Sequence, residues 1–510
     1  MSGEVNVKSI LALEEQIREH EKVLINLKCA RNALLNISTL PPEILGNIFQ
    51  CNVTLKDEFD WLEEGSRNFL LVCHHWHEVA LRTPEVWSFW GDTLADWARC
   101  HRYSGTAPLD LVLGPHYADD DSSNDDGGGG RPFDVALHET LQDHAVRDMI
   151  RRIHLSSKDA SLSRSIISSL VTVCEGVRSN SVESIVLVDG REDSEPMDIS
   201  DFFARYRFPK LQHLKINGCI IASWDLLASR TAILTTLSLH FDDPTSTPTT
   251  SQVLSILASN PTLRKVQLSG DAIPHDGGGE SPLRVSLHYL KELELMGDLQ
   301  GVLGLLYRLD HPAKMDHLQI ILSDCAVTDI PQTIGPYLRD HFRRRGRSRN
   351  ELAIGVAQFG DHITLDAGDM CGTGSTHWFL RVVVHVDRAS SGPLEGGVLD
   401  LIAHTPQDDI VELAIGGVSV SSVFPESKIG EDEEVLPSIQ RIFLSNQAGG
   451  DWSPFTAYLA RRAFSGDRLS SLRIHSSHVC PEVEERIRSM VQVLHGSNSG
   501  EPCPFCTRPE

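Results

Sequence analysis

The sequence predicts an α/β solenoid, preceded by a small all-α module and an N-terminal heptad helix. Three observations point there. A six-residue aliphatic pattern returns ten times between residues 150 and 474. Its returns are spaced by about one short strand plus one return segment. Ahead of it lie a heptad row and an aromatic-rich stretch, with five of the eight tryptophans before residue 100.

The composition permits such a fold. The 510 residues are 41% hydrophobic and 23% charged, enough apolar content for a large core. No run of about 18 apolar residues appears, so no transmembrane helix is expected. The start, Met1-Ser2-Gly3-Glu4, has neither basic nor apolar signal character. The eleven cysteines then read as reduced thiols, and the expected location is cytoplasmic, nuclear or both. The net charge of −24 repels phosphate backbones and anionic membranes, so neither nucleic acid nor membrane is an expected partner.

Residues 6–36 read as an amphipathic helix. Ile10, Ile17, Leu24 and Arg31 are seven apart, and Leu13, His20, Leu27 and Leu34 form a second row. The two rows alternate by three and four, which is a heptad seam. It either pairs with another helix or packs on its own protein.

Residues 37–90 read as a helical module. Leu40-Pro41-Pro42-Glu43-Ile44-Leu45 opens a helix, with proline and an acidic residue both suited to a first turn. Ile44, Leu45, Ile48 and Phe49 follow at helical spacing. Phe69 to Leu81 forms one or two further helices, and Thr83-Pro84 ends them. Residues 91–145 read as a linker, with a disordered acidic and glycine loop at 118–131.

Residues 146–495 carry the repeating pattern: large aliphatic, two others, aliphatic, one other, aliphatic. It matches at Ile150, Val182, Leu211, Leu234, Leu263, Leu290, Met315, Ile410, Ile439 and Leu469. Steps between neighbouring starts run from 23 to 32 residues, leaving aside the gap from 315 to 410. This is the spacing of irregular leucine-rich repeats. Gln252–Ala258 and Leu299–Leu306 read as returns. Between 324 and 409 the pattern fails. Two strands are expected there, at Leu352–Ile354 and Leu380–Val384. Glu482–Leu494 reads as a closing helix, and 496–510 as a flexible tail. Gln212, His213, Lys215, Thr235, Ser238, Arg264, Gln267 and Glu294 are expected on the open face.

Leu40-Pro41-Pro42-Glu43-Ile44-Leu45 with Ile48-Phe49, then Val72-Cys73 with Trp76, then Trp87, resembles an F-box. The whole layout is similar to the large F-box family of mushroom-forming fungi. The motif covers about a tenth of the chain. Two departures stand out. The stretch between Phe49 and Val72 is longer and more acidic than usual, and Val86 replaces the common leucine before Trp87.

The resemblance implies a non-catalytic substrate receptor. Its F-box would dock on the Skp-family adaptor of a cullin–RING ubiquitin ligase, and its repeats would hold a protein substrate. It places Leu40, Pro41, Pro42, Ile44, Leu45, Ile48, Phe49, Val72, Trp76 and Trp87 in the adaptor-facing or module-core set. The alternative is a repeat scaffold, outside any ligase, that dimerises through the N-terminal helix. In that case the ten residues only cap the solenoid.

No catalytic constellation is found: no Gly-x-Ser-x-Gly elbow, no phosphate-loop lysine, no His-Glu-x-x-His. No cofactor is expected. Cys73-His74-His75-Trp76-His77 reads as an ordinary helix rather than a metal site. Cys503 and Cys506 form one Cys-x-x-Cys, by itself only half of a zinc site; it reads as free thiols in a loose tail, and no metal is expected. Arg343–Arg349 reads as a solvated helix end suited to the helix dipole, or as an import signal or acidic-partner contact.

Overall fold

A computed structural model describes residues 2–34, 40–53, 68–90, 100–113, 144–157, 181–189, 197–221, 224–231, 233–241, 247–274, 283–312, 315–325, 330–345, 352–359, 362–370, 376–386, 410–417, 424, 436, 438–445, 452–475, 479 and 481–496. The chain divides into two compact units, Met1–Ser194 and Glu195–Glu510. The fold is mixed α/β with large, mostly parallel sheet.

The first unit opens with α1 (Ser2–Ala33), a long helix whose described residues from Ser9 to Lys28 are all exposed. Next come α2 (Pro42–Val53), a 3-10 turn (Asn68–Leu71), α3 (His74–Leu81) and a second 3-10 turn (Pro84–Trp87). Pro42 is the first residue of α2, where its missing N–H costs nothing. The amides of Ile44 and Leu45 both donate to Pro41 O, at 3.0 and 3.1 Å.

Four strands complete this unit: β1 (Phe89–Trp90), β2 (Leu109–Leu113), β3 (Ile150–Ser157) and β4 (Ser184–Asp189). A short helix, α4 (His144–Met149), leads into β3. The strands are parallel and pair in that order. The segment 91–145, read as linker, supplies β2, and β2 joins β1 of the module to β3. Buried Asp110 on β2 is held by the Arg151 guanidinium at 3.1 Å. The acidic–glycine stretch at 118–131 lies outside the described residues.

The second unit contains β5 (Met197–Asp198), α5 (Ser200–Arg205), β6 (His213–Asn217), β7 (Cys219–Ile220), α6 (Trp224–Arg230), β8 (Thr236–Phe241), α7 (Thr250–Ser259) and β9 (Lys265–Gly270). It continues with β10 (Val285–Ser286), β11 (Glu292–Asp298), α8 (Leu299–Leu306), β12 (Leu309–Asp310), β13 (His317–Cys325) and α9 (Ile330–Arg345). Then follow β14 (Leu352–Phe359), β15 (His362–Met370), β16 (Thr376–Val386), β17 (Ile410–Gly416) and β18 (Arg441–Ser445). It closes with α10 (Ser453–Ser465), β19 (Ser471–His475), α11 (Pro481–Met490) and β20 (Leu494–Gly496).

Its main sheet runs β6-β8-β9-β11-β13-β16-β15-β14-β17-β18-β19-β20. All these pairs are parallel except β16 with β15 and β15 with β14. The second and third aliphatic residues of all ten segments lie on strands, β3 and β4 of the first unit included, and in eight of them the first precedes the strand by two residues. Their residues also match across neighbours: Leu214 pairs with Leu237, Leu237 with Val266, Val266 with Leu293, and Leu293 with Leu318. These side chains are fully buried or nearly so. The helices pack beside them. The expected returns form α7 and α8, the first opened by a Thr249–Gln252 capping box and the second by the Asp298 carboxylate. Buried Asn260 ties two turns together, accepting from Leu234 N at 3.0 Å and donating to Ile256 O at 2.9 Å.

Two expectations are corrected. The stretch 324–409 supplies three strands, not two, because His362–Met370 forms an antiparallel bridge between Leu352–Phe359 and Thr376–Val386. The closing helix ends at Met490, and Leu494 instead begins β20, paired with β19.

Buried His341 of α9 faces buried His311, which directly follows β12. His311 Nε2 and Tyr337 Oη are 2.8 Å apart, and the His311 and His341 rings are 5.6 Å apart. Neither ring nitrogen of His341 has a partner. Burial, reinforced by His311, Arg345 and Arg344 against the opposing pull of Asp340, lowers the His341 pKa from 6.5 to about 3. The unfolded chain therefore takes up a proton below pH 6.5 that the folded chain refuses. Stability is unaffected above that pH and is lost as pH falls toward 3, by about 1.4 kcal/mol per unit. His341→Leu is expected to remove one proton's share of that slope, read from urea unfolding at pH 7 and pH 5.

Candidate functional site: the outer face of the N-terminal module

The ten motif residues divide into two sets. Leu45, Phe49 and Trp87 are fully buried and form the module core. Phe49 stacks on Phe69 at 4.5 Å and meets Trp76 at 5.2 Å. Trp87 donates from Nε1 to Ala80 O at 2.7 Å and packs against Tyr103 at 5.1 Å. Trp76 is half-buried, its Nε1 out of solvent and without a partner.

The remaining residues face outward. Pro41, Pro42 and Ile44 are exposed, Ile44 by 45%, while Leu40 and Ile48 are half-buried. Pro41, just before α2, and Ile44 and Ile48 on it fall at helical spacing along a stripe that adjoins the buried one of Leu45, Phe49 and Val53. The helix thus has apolar residues on two faces, only one of which the module covers. Val72 is also exposed, by 49%. Its carbonyl accepts from Asn32 Nδ2 at 3.4 Å, which ties the end of α1 to this turn.

Sequence reasoning missed Leu71, which is 85% exposed beside Val72. The available signal was its place in the apolar run Phe69-Leu70-Leu71-Val72, where only Phe69 is buried. His74, His75 and His77 are all exposed on α3. Among the described residues no group of three or more His, Cys, Asp or Glu side chains is placed to hold a metal ion. Cys503 and Cys506 lie outside the described residues.

The second unit offers a separate polar sheet face. Lys215, Ser238, Gln267, Glu294, Gln319 and Arg381 follow one another across six strands in register. Several charges there meet neighbours of opposite sign or hydrogen-bonding groups, while Lys215 lies near like-charged Lys265. Lys265 lies 3.1 Å from Glu292, Gln267 donates to Glu294 at 2.8 Å, and Arg381 lies 2.8 Å from Asp366. Burial, with Lys265 nearby, lowers the Lys215 ammonium below the ordinary lysine range. Gln212, Thr235 and Arg264 precede their strands and join through backbone: Thr235 N donates to Gln212 O, and Arg264 N to Thr235 O, each at 2.7 Å.

Within the expected basic run one side chain, Arg345, is anchored in the fold, while Arg343 and Arg344 are exposed. Arg345 lies 2.8 Å from Asp369 and 3.5 Å above the Phe379 ring. Arg344 pairs with Asp340 at 2.6 Å, and Arg343 is exposed. Arg347 and Arg349 lie outside the described residues. Among the described residues no helix is long and apolar enough to cross a membrane.

No protein-family model matches this chain, and no curated protein matches it either.

Proposed function

We propose that the chain is the substrate-receptor subunit of an SCF-type ubiquitin ligase, located in the cytoplasm, the nucleus or both. The observation that carries this reading is the outer row of α2. Pro41, Pro42 and Ile44 stay exposed beside a core that uses the adjoining stripe of the same helix. An uncovered apolar helix face suits a partner groove, and the resemblance supplies its chemistry, a Skp-family adaptor. The parallel sheet of the second unit, read as an irregular leucine-rich-repeat solenoid, would present its mixed-sign polar face to a protein target. The chain itself performs no bond chemistry in this account. It raises the effective concentration of a target lysine near a charged conjugating enzyme.

Leu40→Ala combined with Ile44→Ala is expected to abolish co-purification with the adaptor. Both side chains are at least partly outside the core, so the circular dichroism spectrum and unfolding midpoint should stay close to wild type. Retained adaptor binding in a folded double variant would refute the assigned surface.

A further inference from the structure

The N-terminal helix is an unpartnered surface of its own. Isolated helices in water draw little stability from propensity and need an apolar face to be covered. Here Ile10, Leu13, Ile17, Leu24 and Leu27 all stand half or more exposed along one seam, and Leu34 just beyond the helix is more exposed still. A contiguous row of this length marks an interaction site.

The charges on either side of the seam identify its occupant. With Ile10, Ile17, Leu24 and Arg31 as first core positions and Leu13, His20, Leu27 and Leu34 as second, the flanking positions hold Glu14, Glu21 and Lys28 on one side. Gln16, Val23 and Ala30 occupy the other. In a parallel pair the two flanks face each other, so every charge meets a neutral residue. Arg31 would also face Arg31, and His20 would face His20, inside the core. In an antiparallel pair each flank faces its own copy. The register that overlaps most of the seam sets Ile10 against Leu34, Leu13 against Arg31, Ile17 against Leu27 and His20 against Leu24. It brings Glu14 of each copy to Lys28 of the other, twice by symmetry, against a single Glu21–Glu21 contact at the twofold axis. The surface is therefore complementary to itself, as a twofold interface must be.

We propose that α1 pairs with α1 of a second copy as an antiparallel two-stranded coiled coil, making the protein a dimer. The proposal does not rest on the ligase reading, because no residue of the outer row of α2 takes part.

The full chain should sediment at twice its 56.4 kDa mass. Ile17→Asp with Leu24→Asp should give a monomer that loses the helical signal of α1 while the rest of the fold unfolds at an unchanged temperature. Lys28→Glu should weaken the dimer about tenfold by setting Glu14 against glutamate twice, and adding Glu14→Lys should restore it. A wild-type chain that stays monomeric at tens of micromolar would overturn the proposal. So would a dimer that Ile17→Asp with Leu24→Asp leaves intact. A dimer that Lys28→Glu does not weaken would overturn the antiparallel arrangement. Adaptor binding should be the same for the monomeric and dimeric forms.

Discussion

Trp87→Ala is expected to destabilise the N-terminal module by about 3–5 kcal/mol, the range for emptying a buried aromatic site. Three contributions add at this position. The indole is fully buried, its ring packs on Tyr103, and its Nε1 satisfies the Ala80 carbonyl at the end of α3. Removing it opens a cavity and takes from Ala80 O one of its two donors, leaving the Thr83 amide at 3.2 Å. Amide hydrogen exchange over residues 42–87 would report the effect directly, as lost protection. Adaptor binding would fall too, but through unfolding. That distinguishes Trp87 from Ile44, whose replacement should leave protection unchanged.

The second large effect is expected at Arg345. Arg345→Ala removes a mostly buried guanidinium that pairs with Asp369 on β15, covers Phe379 and donates to Met315 O at 3.3 Å. The Asp369 carboxylate would keep its partly buried position without its ion pair. Breaking such a pair from one side costs about 3 kcal/mol. Arg343→Ala, at an exposed position of the same helix, should change stability by less than about 0.5 kcal/mol. Chemical denaturation of both variants tests this contrast. Equal effects would mean that the basic run acts as a charged surface rather than through one anchored side chain.

This pair of arginines also shows where sequence reading ends. Three adjacent arginines look alike in sequence, and both a solvated helix end and an import signal fit them. Only the antiparallel bridge His362–Met370 makes Arg345 different, by bringing Asp369 alongside. That bridge was itself unreadable from the aliphatic pattern, which falls on strands that pair in parallel. A strand pairing antiparallel has no reason to carry it. Leu109–Leu113 lies in the stretch read as linker; it pairs in parallel, and its Asp110 is buried against Arg151.

What the pattern did locate, it located well. The aliphatic residues at Leu214, Leu237, Val266, Leu293 and Leu318 are the ones that pair across the sheet, because one buried face must be apolar on every strand. At the candidate site the ten residues were legible as a group, but their division was not. Leu45 and Ile44 are neighbours of the same chemistry, and a small rotation about α2 decides which one enters the core. Leu71 was hidden by a run in which all four residues look equally fit for burial.

The central claim is that the outer row of α2 exists to be covered by a Skp-family adaptor. Titration calorimetry of the full chain with a purified adaptor of that family tests it most directly. The account predicts saturable one-to-one binding with a negative heat-capacity change, as buried apolar surface requires, and its loss in Ile44→Asp. A folded wild-type chain that gives no binding heat at any tested temperature, or an Ile44→Asp variant that binds as tightly as wild type, would contradict it.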